Sequence, residues 1–291
     1  MNFSDLVVGV FRGILWYFCQ FTFYLMDLIY GIIEDLAKLN LGDFSFIWQW
    51  WKGLCILLFF FIILRMAVQY FKASINEDEL GKVDPINLIV RLGAIALITL
   101  LLPSIMTGLS SVSSGLTENL STIITSDTKV DKPSHVIASA GYQGDINAFD
   151  YNSIDINAKA DGKYIQFPSS FDIIFAVVAS VVADLVFVFI GIQIAQRIVG
   201  LLLKILISPF ALSGLISQED NTFSLWFKLC IADFLTGFFQ IVLVMLVMSA
   251  TASVPLQPIA KVIFFIGALM AVMNAPAGIA QLLGGDVGVG T

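Results

Sequence analysis

Charge is what this sequence has least of. Asp, Glu, Lys and Arg make up 13% of its 291 residues, against roughly 25% in a soluble globular chain. That is too little to cover a water-facing surface. The chain is long enough to bury a sizeable soluble core, so shortness does not explain the deficit. With 58% hydrophobic residues and a mean hydropathy of +0.91, the surplus apolar surface belongs against lipid.

Other scarcities exclude whole function classes. The one histidine, His135, stands in a polar stretch with no partner motif, so no Ser-His or Cys-His device can be built. The three cysteines, Cys19, Cys55 and Cys230, all lie in apolar runs. That spacing supports neither a disulfide framework nor a zinc site, and such thiols serve as small packing residues. No phosphate loop or helicase motif is present. Energy for any transport must come from a partner or an ion gradient, and no cofactor is expected. Basic residues are outnumbered 15 to 22, for a net charge of −7. Bulk charge therefore cannot hold the chain to anionic lipid or nucleic acid as a peripheral protein. The N-terminus lacks a basic cluster and a small-residue cleavage site, so it is expected to be retained.

What is abundant is long apolar runs. Crossing the hydrocarbon takes about 20 apolar residues in a helix, and candidates occur at 6–34, 47–71, 87–115, 171–195, 224–250 and 257–282. They are too long and too uniform for barrel strands. The expected fold is an all-α integral membrane protein with five or six transmembrane helices. The first run carries Asp5, Arg12, Gln20, Asp27 and Glu34 at spacings of seven or eight, one narrow face of a helix. It either lies in the interface or spans with its polar stripe against other helices.

Basic shoulders orient the chain. Lys72, Lys82 and Arg91 flank the turn between the second and third runs, which marks it as cytoplasmic. Residues 118–168 then face outward, Arg197, Lys204 and Lys228 fall inside, and the C-terminus is cytoplasmic. Trp48, Trp50 and Trp51 read as an aromatic belt. This divides the chain into N-terminal membrane helices (1–117), an extracytoplasmic polar loop of about fifty residues (118–168), a C-terminal membrane core (169–283) and a Gly-rich tail (284–291). Within the loop, alternation at Ile154, Ile156 and Ala158, then Asp161-Gly162, then Tyr164 to Phe167 predicts a short β-hairpin.

The stretch Phe171 to Ile216 would run roughly 69 Å as one helix, so a break is expected at Gly200 or Ser208-Pro209, with 197–208 as an amphipathic or re-entrant cytoplasmic helix. Pro103 and Asn274-Ala275-Pro276 are expected kinks. Thr107, Ser111 and Gly115 form a small-residue face for a neighbouring helix. No internal repeat of the transporter kind is found.

Several polar residues interrupt the apolar runs. Asp184 and Asp233 are costly at mid-membrane as carboxylates. They either line a wet interior or pair with Arg197 or Lys228, or they stay protonated or near headgroups. Both are preceded by alanine, and Gly284-Gly285-Asp286 lacks a further glycine, so an intramembrane aspartyl protease is not indicated. Gln193, Gln240, Asn274 and Gln281 either join helices or line a pore, and joining is the commoner fate. Arg197, Lys204 and Lys228 either contact a transported strand by its phosphates or snorkel to headgroups.

Residues 196–247 add a pattern: a basic helix, Ile207-Ser208-Pro209-Phe210-Ala211, a polar gap, Trp226-Phe227-Lys228, and an apolar helix carrying Gln240. Together with Ala277-Gly278-Ile279-Ala280-Gln281-Leu282-Leu283-Gly284-Gly285, this resembles the TrbL-type conjugal transfer family, the VirB-six-type polytopic membrane subunit of type IV secretion systems. The resemblance covers roughly the last hundred residues. It implies a bundle of five or more helices with a large outer loop and a cytoplasmic C-terminus. It also implies a role in moving single-stranded DNA or protein beside cytoplasmic ATPases and other membrane subunits, as a homo-oligomer. The chain is short for that family, which suits compact versions from Gram-positive conjugative elements. The alternative function is a small-solute permease or transporter subunit.

Overall fold

The structure, a computed structural model, describes residues 3–75, 85–128, 132–216 and 221–282. The centre of the expected cytoplasmic turn with Lys82, and the tail 284–291 with Asp286, lie outside the described residues. So do the side chains of Asp5, Lys72 and Gln281. Among the described residues the long elements are all helical: α1 (Phe3–Lys38), α2 (Ser45–Ile75), α3 (Pro85–Thr128), the short α4 (Pro133–Ala138), α5 (Ser170–Ser213), α6 (Thr222–Ser253) and α7 (Pro258–Leu282). Among the described residues, five stretches are long and apolar enough to cross a membrane: Leu6–Lys38, Ser45–Phe71, Asn87–Leu120, Ser170–Ile216 and Thr222–Ser253. Ile259–Ala275 is apolar but shorter.

Two boundaries differ from expectation. α3 continues to Thr128, so the first ten or so residues of the expected loop are helical. α5 has no break: it is one helix of 44 residues with Pro209 inside it, about 66 Å long. The expected separate helix over 197–208 is therefore part of α5. Proline removes the hydrogen bond that its N–H would give to the carbonyl four residues back. Here that carbonyl, of Ile205, accepts instead from the Ser208 hydroxyl at 2.7 Å. α3 likewise runs through Pro103.

The chain folds as two compact units. One comprises Met1–Lys38, Leu116–Ala195 and Phe238–Pro276, and the other Leu39–Gly115, Gln196–Gly237 and Ala277–Thr291. The first unit carries the loop. There α1 and α5 run parallel in a fixed offset: Arg12 meets Ser170, Ser180 donates to Thr22 at 2.7 Å, and Ile33 packs where Gly191 has no side chain. The loop holds α4 and a hairpin of β1 (Lys159–Ala160) and β2 (Lys163–Tyr164), antiparallel with Lys159 opposite Tyr164. Asp161 and Gly162 both have positive φ, 53° and 77°, the primed geometry that matches strand twist. The hairpin is where alternation placed it, and shorter than the alternating run.

The second unit packs the apolar faces of α2, α3, the later part of α5 and the start of α6 around Trp51, Leu58, Ile95, Leu102, Ile205 and Trp226. The aromatic belt is mostly inward. The Trp51 indole donates to Ser208 Oγ at 2.7 Å and that of Trp48 to the Leu41 carbonyl at 3.1 Å, while Trp50 stays exposed. At Ser110 and Ser111, α3 receives the α1–α2 connector. Ser110 Oγ accepts from the Leu41 N–H at 3.0 Å, and Asn40 donates to Ser111 Oγ at 2.7 Å.

Candidate functional site

Among the described residues, three polar groupings of the apolar helices hold the candidate residues. In the second unit, Lys204 of α5 forms an ion pair with Asp233 of α6. The ammonium also donates to the Leu229 carbonyl at 3.3 Å, and the Trp226 indole donates to the Lys204 carbonyl at 2.9 Å. Of the alternatives for Asp233, pairing is the one seen, and the ion pair is with Lys204. One helical turn spaces Lys204 toward Leu229 and Asp233, which share a face at i and i+4. Asp233 also attracts Arg197 electrostatically. A Cβ at Gly200, between Arg197 and Lys204, would lie 3.7 Å from the Asp233 carboxylate, an ordinary van der Waals contact. Lys228 is exposed.

In the first unit, Gln240 of α6 is fully buried, and its amide donates to Gln193 Oε1 of α5 at 2.8 Å. This joins two helices, a contact of about 0.6 kcal/mol on average between membrane helices. Asp184 is buried, and its Oδ1 has no hydrogen-bond partner among the described residues. The acid that acts on it electrostatically is Asp27 of α1. The fixed α1–α5 offset brings these two carboxylates to the same height.

The third grouping is the polar stripe of α1, and what it meets was not foreseen. Arg12 is wholly buried, and its Nη2 donates to the carbonyls of Phe167 at 2.7 Å and Ile156 at 3.2 Å. Its guanidinium carbon lies 3.7 Å from the centre of the Tyr164 ring. Eight residues on, Gln20 donates to the Tyr151 carbonyl at 2.6 Å. Seven further, Asp27 accepts from the Ser134 N–H at 3.1 Å and its hydroxyl at 2.8 Å. That N–H is one of the donors α4 leaves unmet at its start, after Pro133 at N1, and a carboxylate is the favoured acceptor there. Between these polar rungs, Trp16 and Phe23 of α1 pack against Phe167, Phe149 and Tyr151 of the loop. The stripe is a ladder of side chains gripping loop backbone, so the loop is a folded module on α1.

Among the described residues no three His, Cys, Asp or Glu side chains gather as metal ligands, and Cys19, Cys55 and Cys230 are free thiols. These features define a multi-pass helical membrane protein with ion-paired and amide-paired helices and a folded loop. The chain belongs to the TrbL family: the family model described as "Conjugal transfer protein TrbL" matches residues 6–290. The match spans nearly the whole chain, well beyond the hundred residues whose motifs suggested it. No curated protein and no solved structure matches.

Proposed function

We propose that this chain is a channel or scaffold subunit of a conjugation or type IV secretion machine, helping single-stranded DNA or protein cross the cytoplasmic membrane. The observation that carries the reading is the match of residues 6–290 to the TrbL family. It is supported by the five helices able to span. The chain works beside other membrane subunits and cytoplasmic ATPases, with copies of itself, in contact with membrane lipid. Residues 118–168 face outward, and the 72–91 turn and the C-terminus face the cytoplasm. Arg197, Lys204 and Lys228 give the cytoplasmic side a basic character suited to a phosphate backbone. The Lys204–Asp233 pair offsets one of those charges. Gln193 and Gln240 join helices that frame the path, and Asp184 is buried on one of them.

The test is an in-frame deletion in a donor cell carrying the conjugative element. Transfer should fall to background and return with the plasmid-borne gene, and the transferred strand should crosslink to the protein. Undiminished transfer in the deletion strain would refute the assignment. Loss of transfer without any crosslink would assign the chain to the scaffold alone.

A further inference from the structure

Along the seam between α1 and the hairpin runs a cavity of about 640 Å³, lined by Leu6, Gly9, Val10, Gly13, Asn157, Lys159 and Tyr164. Its volume is that of a small-molecule site, roughly 300–1,000 Å³. The helix supplies an apolar floor and the hairpin a polar rim. Lys159 is the charged side chain among the lining residues, with its ammonium 4.7 Å from the centre of the Tyr164 ring. The Asn157 amide donates to the Gly9 carbonyl at 3.3 Å.

The floor exists because two helical positions have no side chain. Gly9 and Gly13 stand four apart on the same face of α1. Glycine inside a helix costs about 1 kcal/mol against alanine. Packing does not require either glycine. A Cβ at Gly13 would meet nothing within 4 Å, and one at Gly9 would meet only Asn157, at 3.8 Å. What their absence of side chains keeps open is the groove.

The groove is continuous with an exposed apolar face. At 100° per residue, Leu6, Val10 and Gly13 share a face with Tyr17, Phe21 and Tyr24, and those three are more than half exposed. In a multi-pass membrane protein, lipid chains cover such a face. The rim cannot sit in hydrocarbon, because Asp155, Asn157, Lys159, Asp161 and Lys163 of the same loop are exposed and polar side chains there need water or partners. The seam therefore lies at the level of the headgroups, with apolar surface on one side and a cation on the other.

We propose that this seam binds one anionic phospholipid. An acyl chain lies over Gly9 and Gly13, and the headgroup phosphate is held by Lys159 and the Asn157 amide. The site would tie the loop module to the membrane surface. The inference rests on the chain being a membrane protein and stands apart from the conjugation reading.

The test is native mass spectrometry of the full chain released from detergent, with phosphatidylglycerol or phosphatidylcholine added. One phosphatidylglycerol should be retained per chain, in preference to phosphatidylcholine. Gly13→Leu, whose Cβ meets nothing within 4 Å, fills the groove and should lower retention about tenfold, the equivalent of roughly two buried methylenes. Gly31→Leu, on α1 with nothing within 4 Å of its Cβ, should retain lipid as the parent does. Lys159→Gln should erase the preference for the anionic lipid. Equal retention of both lipids by the parent, or parent-like retention by Gly13→Leu, would reduce the seam to ordinary lipid contact and overturn the proposal. A Gly13→Leu variant that changes the oligomeric state while keeping its lipid would assign the groove to a second copy of the chain, and would overturn it too.

Discussion

Replacing Arg12 with methionine should release the loop from α1. The guanidinium is fully buried and makes two hydrogen bonds to loop carbonyls, at 2.7 and 3.2 Å, and a long one to Ser170 Oγ at 3.4 Å. Hydrogen bonds to a charged group contribute about 1.5–3 kcal/mol each. Its stacking on Tyr164 adds about 1 kcal/mol. Against this, burying a guanidinium is costly, and Nε has no partner among the described residues, so the low end of the range applies. A loss of about 3 kcal/mol corresponds to roughly a hundredfold rise in the open population of the loop. Hydrogen exchange of the detergent-solubilised protein reads this directly, as a matching loss of protection over 132–168 with the remaining helices unchanged. Arg12→Lys keeps the charge but has one nitrogen where the guanidinium uses Nη2 for both carbonyls and Nη1 for Ser170, and should fall between parent and Arg12→Met. Parent-like protection in Arg12→Met would refute the claim that the α1 stripe holds the loop.

Asp233→Leu strands the Lys204 ammonium. The two side chains are 25% and 26% exposed, so water screens part of the effect, and the expected loss is about 2 kcal/mol, below the 3–5 kcal/mol of a fully buried pair. Melting in detergent should recover in Lys204→Asp with Asp233→Lys, and failure of that swap would mean the pair is not the cause. Gln240→Leu removes one interhelical amide bond at about 0.6 kcal/mol; donor-cell transfer should stay near normal at normal protein levels, and a severe defect would point to a pore-lining role. In a background lacking Cys19, Cys55 and Cys230, Ser74→Cys should label from inside and Asn152→Cys from outside. The exposed Asn152 is a better outer probe than Ser139, which is half-buried and donates to the Val136 carbonyl; the reverse labelling would sink the topology. Burial first, then Asp27, Asp150 and Tyr24, push the Tyr151 phenol above its usual range. The neutral phenol is thus favoured in the folded loop. Its contribution is whole below the unfolded value of about 10 and is lost as pH rises through the folded value. Protease sensitivity of the loop should rise at alkaline pH, and less so in Tyr151→Phe.

The membrane architecture was legible because it is written in composition and run length, which need no knowledge of what packs where. The hairpin was legible because Asp161-Gly162 can take two positive φ angles where most pairs cannot. The break in α5 was misread for a local reason. Pro209 signals a break when considered alone, yet the hydroxyl of the residue before it takes up the carbonyl that proline leaves free. The same hydroxyl receives the Trp51 indole from another helix. Ser208-Pro209 therefore works as a pair, and a sequence rule that weighs proline by itself misses the compensation. Likewise, three tryptophans at the start of α2 look alike in sequence, but two of them find inward acceptors.

The polar residues divide by the kind of partner they take. Lys204 with Asp233, and Gln193 with Gln240, are side chain to side chain, and every member was singled out in the sequence as a residue that the hydrocarbon penalises. Which one met which was open, because pairing depends on the rotation of α5 against α6, and no local pattern encodes that rotation. Arg12 and Gln20 are different. Their spacing announced a face, but they bind carbonyls of Ile156, Phe167 and Tyr151, more than 130 residues away. Every residue has a carbonyl, so the partner leaves no trace in side-chain identity. A polar stripe on an otherwise apolar helix thus has a third reading besides water and other helices: the backbone of a loop. That reading also accounts for why Arg12 is buried in a chain so short of charge. Beside the aromatic packing of Trp16 and Phe23 against Phe167, Phe149 and Tyr151, the loop is attached to α1 through its own carbonyls, and one guanidinium holds two of them while its other arm reaches Ser170.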